Sequence, residues 1–130
     1  MEIAKLHAGD AMRSPVVSAK RTDSAGDIAL QLVSGRFSGM PVVDDEERVI
    51  GVVTEHDLLN QVREGKNLDG LVAENVMQKH PITVDISATL GDVLEIMLEN
   101  GILRIPVTDG LRLVGIISRS AILRTALGDI

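Results

Sequence analysis

The chain contains no cysteine, tryptophan or tyrosine, and its one aromatic residue is Phe37. Without cysteine there is no disulfide framework, no thiolate zinc site and no cysteine nucleophile. With so few aromatics, a core must be filled by Val, Ile, Leu, Met and Ala, and a hydrophobic content of 45% over 130 residues supplies enough of them. No apolar run approaches the roughly 18–20 residues that span a bilayer. The opening Met1-Glu2-Ile3-Ala4-Lys5-Leu6 is too short and too charged for a signal peptide. A soluble cytoplasmic protein, without a membrane partner, is expected by exclusion. Positive charge is also scarce: 13 bases face 19 acids, for a net charge of −6. That sign opposes general nucleic-acid binding, so any phosphate site must be made by a few aimed groups. Enzyme signatures are missing too, with no Gly-x-Ser-x-Gly elbow, no Walker loop and no His-Glu-x-x-His. His7, His56 and His80 lack the spacing of a metal site, and the acidic run Asp44–Glu47 is explained by a turn between strands. Neither catalysis nor a metal is expected.

What the chain does have is an internal repeat. Ser24-Ala25-Gly26-Asp27-Ile28 recurs as Thr89-Leu90-Gly91-Asp92-Val93. Met40-Pro41-Val42-Val43-Asp44 recurs as Ile105-Pro106-Val107-Thr108-Asp109, and Val49–Thr54 recurs as Leu113–Ser118. Upstream, Met12-Arg13-Ser14-Pro15 answers Met77-Gln78-Lys79-His80-Pro81. Each copy reads β-α-β-β-α. A short strand, Val16-Val17 or Ile82-Thr83-Val84, precedes a helix capped by Ser24 or Thr89, with Asp27 or Asp92 three residues on. Apolar spacing carries the helix through Ile28, Leu32 and Val33, or Val93, Met97 and Leu98, to an end near Gly35 or Gly101. Two strands follow, Met40–Val43 and Val49–Val53, or Arg104–Thr108 and Leu111–Ile117. Helices Glu55–Glu64 and Arg119–Leu127 close the copies.

The fold class is therefore α/β (α+β). Residues 1–64 form the first copy with its lead-in, 65–75 a linker, and 76–130 the second copy. One copy alone is too small to cover both faces of its sheet. Two pseudo-symmetric copies packed sheet to sheet, with helices outside, solve that, and the nearly continuous apolar strands suit double coverage. Leu58, Leu59, Val62, Ile122, Leu123 and Leu127 exceed what one core needs, so a homodimer is expected.

The ordered set of motifs, present twice, resembles the cystathionine-β-synthase-type (CBS) domain. The first copy supplies Met12…Pro15, Met40-Pro41-Val42-Val43-Asp44 and Gly51-Val52-Val53-Thr54-Glu55-His56-Asp57-Leu58. The second supplies Met77…Pro81-Ile82-Thr83-Val84, Ile105-Pro106-Val107 and Gly115-Ile116-Ile117-Ser118-Arg119-Ser120-Ala121. Tandem pairs of this kind are called Bateman modules. The resemblance implies a regulatory module that binds AMP, ADP, ATP or S-adenosylmethionine between the copies, needs no other cofactor and modulates an effector protein of unknown identity.

It also implies site residues. Thr54 ends a strand and opens a helix, whose N-terminus suits a phosphate. Asp57, one turn on, can accept both hydroxyls of a ribose diol. A plain capping box has the same Thr-x-x-Asp spacing, and both readings stand at this point. His56 lies within the segment. The resemblance aims Arg104 at phosphate, and Arg119, beside Ser118, and Arg13 are further phosphate candidates; a solvated surface charge is the other reading of each. The adenine slot it implies is lined by Val17, Met40, Pro41, Ile82, Thr83, Ile105 and Pro106, with Phe37 as a stacking candidate. The copies differ where it matters: Ala121 replaces the Asp, and Gly39 answers Arg104. Unequal sites follow, with the one at Thr54 and Asp57 the stronger. The alternative is a dimerisation scaffold that binds no ligand.

Overall fold

The computed structural model describes residues 3–35 and 37–128, so Met1, Glu2 and the last two residues of the second copy lie outside the described part. In chain order the elements are α1 (Ala8–Ala11), β1 (Ala19–Lys20), α2 (Ala25–Gly35), β2 (Gly39–Val43), β3 (Val49–Thr54), α3 (Glu55–Arg63), α4 (Ala73–Val76), β4 (Gln78–Lys79), β5 (Val84–Asp85), α5 (Leu90–Asn100), β6 (Arg104–Asp109), β7 (Arg112–Ser118) and α6 (Arg119–Ala126). Single 3₁₀ turns lie at Ile3–Lys5 and Leu68–Gly70. The expected helices and hairpin strands form within a residue or two of their predicted ends.

Two compact units result. The first runs from Val17 to Pro81. Its sheet has the order β1-β2-β3-β4, with β1 parallel to β2 and the other pairs antiparallel. Ala25, Ile28 and Leu32 of α2 recur at helical spacing and are buried against Ala19, Met40, Val42, Val53 and Leu58. The second unit joins the described residues up to Val16 with those from Ile82 on. Its sheet, β5-β6-β7, repeats the parallel and antiparallel pairings. Leu90, Val93 and Met97 of α5 face Val84, Ile105, Val107, Ile117 and Ile122.

The two sequence copies exchange their lead-ins. The segment before the first copy docks on the second: the Ala8 amide donates to the Ala88 carbonyl at 2.8 Å and Leu90 to Leu6 at 2.6 Å. The segment before the second copy docks on the first, with Ala73 donating to Asp23 and Ala25 to Leu71, both at 2.8 Å. Ala8 and Ala73, equivalent in the repeat, are both fully buried. The 65–75 stretch is consequently built in: Leu68 and Leu71 pack on the first core. A methionine ends each lead-in over a strand glycine. A Cβ on Gly51 would stand 2.5 Å from Met77 Sδ and 2.9 Å from the Gln78 carbonyl oxygen. One on Gly115 would meet Met12 Sδ, with Cγ 2.8 Å away.

Two details correct the sequence reading. The early strands start later than Val16-Val17 and Ile82-Thr83, because the residues that reach the parallel ladder are Ala19 opposite Val42 and Val84 opposite Val107. Ala19 points into the core at 2% exposure, whereas Val17 stands out at 47%. Val33 and Leu98, counted with the inner helical stripe, are exposed, since each follows directly on the inward residue Leu32 or Met97 and so turns about 100° away from it. Among the closing helices, Leu58 and Ile122 are buried, while Leu59, Val62, Leu123 and Leu127 are exposed.

The acidic turn is closed by its own first residue. Asp44 accepts from the Glu46 and Arg48 amides at 2.9 and 3.0 Å and from Arg48 Nε at 2.8 Å. The Arg48 amide, then the Glu46 amide and the guanidinium, hold its carboxyl below 3.8 despite some desolvation. Asp85 is lowered likewise by the Ser87 hydroxyl and amide.

Gly51→Ala should lower stability by roughly 1–3 kcal/mol, because the carbonyl of Gln78 cannot yield as a side chain can. Urea denaturation reads this, and a shift below about 0.5 kcal/mol would show that the lead-in rides loosely on the strand. A lowered folded-state pKa contributes stability that is present above the unfolded value near 3.8 and is lost as pH falls through the folded value. Replacing Asp44 and Asp85 with Asn should therefore flatten the acid limb of the urea midpoint below about pH 4, while the wild type falls steeply there.

Candidate functional site

Each copy ends its sheet in the same junction, where the last hairpin strand runs straight into a helix. In the first unit Thr54 closes β3 in extended conformation (φ −112°, ψ 165°) and is the N-cap of α3. Its hydroxyl accepts from the Asp57 amide at 3.2 Å and donates to Asp57 Oδ2 at 2.9 Å. The Thr54 amide donates to the same oxygen at 2.8 Å. The capping box is thus formed in this conformation, and it is what positions the carboxylate. Asp57 also accepts from Gln78 Nε2, at 3.1 Å on Oδ1 and 3.3 Å on Oδ2. Gln78 reaches it from β4, across the sheet.

The helix N-terminus is less open than the strand-to-helix spacing implied. The first amide of α3, on Glu55, donates to the Ser38 carbonyl at 3.0 Å, and the third, on Asp57, is taken by Thr54. Two of the groups a phosphate would use are engaged within the protein. His56, the second residue of α3, is exposed. Gly39 lies opposite Thr54 in the ladder. Met40 and Pro41, next along β2, are buried, Met40 within the core cluster. Phe37 packs against that core from outside it. Val17 is exposed on the approach to β1.

The second unit builds the same junction with other chemistry. Ser118 closes β7 and caps α6, accepting from the Ala121 amide at 3.1 Å, but Ala121 has nothing to return. The Ser118 hydroxyl instead shares a hydrogen with Ser120 at 3.0 Å. Arg104 lies opposite Ser118 in the ladder, where the first unit has Gly39. Arg119 is half-buried; its amide donates to Leu103 and its Nε to the Ile102 carbonyl at 2.9 Å, which anchors the guanidinium beside the junction. Arg13 pairs with Ile116 through two backbone bonds of 2.8 and 3.1 Å, the place that Gln78 holds beside Val52. Ile105 and Pro106 are buried, Ile82 is 43% exposed and Thr83 half-buried.

The structure therefore brings Thr54, His56 and Asp57 together with Val17, Met40 and Pro41 in one unit. It brings Arg104, Ser118 and Arg119 together with Ile82, Thr83, Ile105 and Pro106 in the other. The residue missed in the sequence is Gln78. Its signal was the repeat itself, in which Met77-Gln78 answers Met12-Arg13 and so sets a carboxamide against a cation. Among the described residues no group of three or more His, Asp or Glu could hold a metal ion, and no helix is long and apolar enough to cross a membrane.

Comparison with known proteins agrees with this duplicated architecture. The family model for the CBS domain matches residues 8–64 and again 72–128. An uncharacterised protein of Methanopyrus kandleri is 30% identical over 118 residues, covering 89% of this chain and 60% of its own length. The uncharacterised protein YtoI of Bacillus subtilis is 36% identical over 91 residues, which is 69% of this chain and 19% of that protein. The chain thus spans less than two thirds of either relative. Among solved structures, CBSX2 in complex with AMP superposes with a TM-score of 0.85 at 33% identity, covering 95% of this chain and 97% of that one. CBSX2 comes from Arabidopsis thaliana, and a second structure of it gives the same TM-score at 30% identity, over 95% of this chain and 96% of that one. A putative acetoin utilization protein of Vibrio cholerae shares the fold at TM-score 0.87 and 23% identity, covering 95% and 92% of the two chains. With both copies matched by the family model and the fold by the solved structures, the chain belongs to the CBS-domain family and carries that domain twice in tandem.

Proposed function

We propose that this CBS pair is a regulatory module that binds an adenine nucleotide, with the ribose held at the junction of Thr54 and Asp57. The observation that carries the reading is the half-buried Asp57 carboxylate, fixed at the start of α3 by Thr54 and turned so that both oxygens accept hydrogen bonds. A carboxylate so held presents Oδ1, which Thr54 leaves open, to the O–H groups of a vicinal diol. The AMP complex of CBSX2, 33% identical, supports adenine as the base. Val17, Met40, Pro41 and His56 complete the proposed set in this unit; Ile82, Thr83, Arg104, Ile105, Pro106, Ser118 and Arg119 form it in the other. ADP, ATP and S-adenosylmethionine carry the same adenosine and fall within the proposal.

The second junction lacks the diol acceptor. Losing one charge-assisted hydrogen bond costs about 1.5–3 kcal/mol, or one to two decades of affinity, so it is the weaker of the two. Its arginines favour phosphate over ribose. The exposed Leu59, Val62, Leu123 and Leu127 suit a second copy of the chain, and ligand occupancy would act on a separate effector by favouring one conformation of the pair. The scaffold reading is favoured by one observation, that Asp57 already has its hydrogen bonds satisfied inside the protein.

Titration calorimetry against AMP, ADP, ATP and S-adenosylmethionine tests the proposal. At least one should bind, and thermal unfolding should shift upward at saturation. Asp57→Ala should weaken binding by at least tenfold and remove most of that shift. No heat at millimolar concentration of any of the four would leave the scaffold. Ala121→Asp should strengthen binding at the second junction and also stabilise α6 by about 0.5–1 kcal/mol through the completed cap, which denaturation separates from the ligand effect.

A further inference from the structure

The Gln78 carboxamide stands where a diol would. An ionised carboxylate offers about four lone-pair positions. Thr54 takes two of those on Oδ2 with its amide and hydroxyl. The Gln78 Nε2 group then lies over the face that is left, 3.1 Å from Oδ1 and 3.3 Å from Oδ2, where the hydroxyls of a ribose would have to approach. Gln78 is exposed, so no packing compels this contact. Nor does the fold require it: in the second unit the equivalent strand position is Arg13, the equivalent helix position is Ala121, and the strand pairing persists through Arg13 and Ile116.

We propose that Gln78 is a built-in competitor for the ribose diol, a latch that closes the acceptor face of Asp57 and must swing away when nucleotide binds. The proposal rests on the nucleotide reading of Asp57 given above and adds its regulation. Gln78 belongs to β4, a strand of two residues tied to β3 only at Gly51–Lys79 and Val52–Gln78. The side-chain bond to Asp57 is a further tie, linking that strand to α3. Binding exchanges it for a bond to ligand and loosens the strand through which the chain leaves this unit at Pro81. Occupancy of the site is thereby written into the segment that joins the two units, which the second copy, with arginine and alanine at these places, cannot do.

The test compares AMP with 2′-deoxyadenosine monophosphate, which lacks one of the two competing hydroxyls, in calorimetry on the wild type, Gln78→Ala and Asp57→Ala. A hydrogen bond to an ionised acceptor corresponds to about tenfold or more in affinity. Gln78→Ala should tighten AMP by that factor, tighten the deoxynucleotide less, and so widen the ratio between them. Asp57→Ala should collapse the ratio. A change in general stability moves both ligands together and leaves the ratio alone. Hydrogen exchange gives an independent reading: in the wild type, Gln78 and Lys79 should lose protection at saturating AMP. A wild type that binds AMP while Gln78→Ala binds it equally or more weakly overturns the latch, as does unchanged exchange in β4. Where another of the four ligands binds in place of AMP, the same comparison is made with it and its 2′-deoxy form; if none of the four binds either wild type or Gln78→Ala, the nucleotide reading itself fails and takes the latch with it.

Discussion

The close seating of one methionine on one glycine, made twice, is the constraint on which the rest of the molecule depends. Met77 lies on Gly51 and Met12 on Gly115 with no room for a Cβ between them. A bare backbone at that point of the strand lets the lead-in reach the sheet, and an unbranched, polarisable side chain fills the irregular gap. Once the methionine is seated, the next residue falls beside the central strand. In the first unit that residue is Gln78, and its side chain meets Asp57. The packing of a small glycine thus determines what stands before a carboxylate six residues further along the chain.

The duplicated junctions show how one backbone supports two chemistries. Both end a strand in an extended hydroxyl residue that caps the following helix. Both spend their first helical amide on a carbonyl of the strand lead-in. The differences are confined to side chains: Asp57 against Ala121, Gln78 against Arg13, Gly39 against Arg104. The first junction is acidic and hydrogen-bond saturated, and the second is basic. Because the backbone is shared, the divergence lies in what the side chains offer at each junction.

Much of this was legible in the sequence, for reasons that are local. The caps at Thr54 and Thr89 act within three residues, and the apolar helical stripe at Ile28 and Leu32 or Val93 and Met97 is a periodicity. The repeat made each element visible twice. What escaped detection was non-local. The exchange of lead-ins could not be read because a four-residue helix such as α1 carries no sign of which sheet it will cover. The starts of β1 and β5 slid by two or three residues, since in a run of apolar residues only the ladder decides which one faces inward. The bond from Gln78 to Asp57 spans 21 positions and two strands, beyond the reach of any spacing rule.

The crossed lead-ins bear on how such a chain assembles. Severed within the 65–75 stretch, neither half would keep the cover of its own sheet, because each carries the other's. A lone repeat is therefore an unfinished object with a free arm and a vacant berth of matching shape. Each arm thus makes the fold of one copy depend on chain supplied from beside the other.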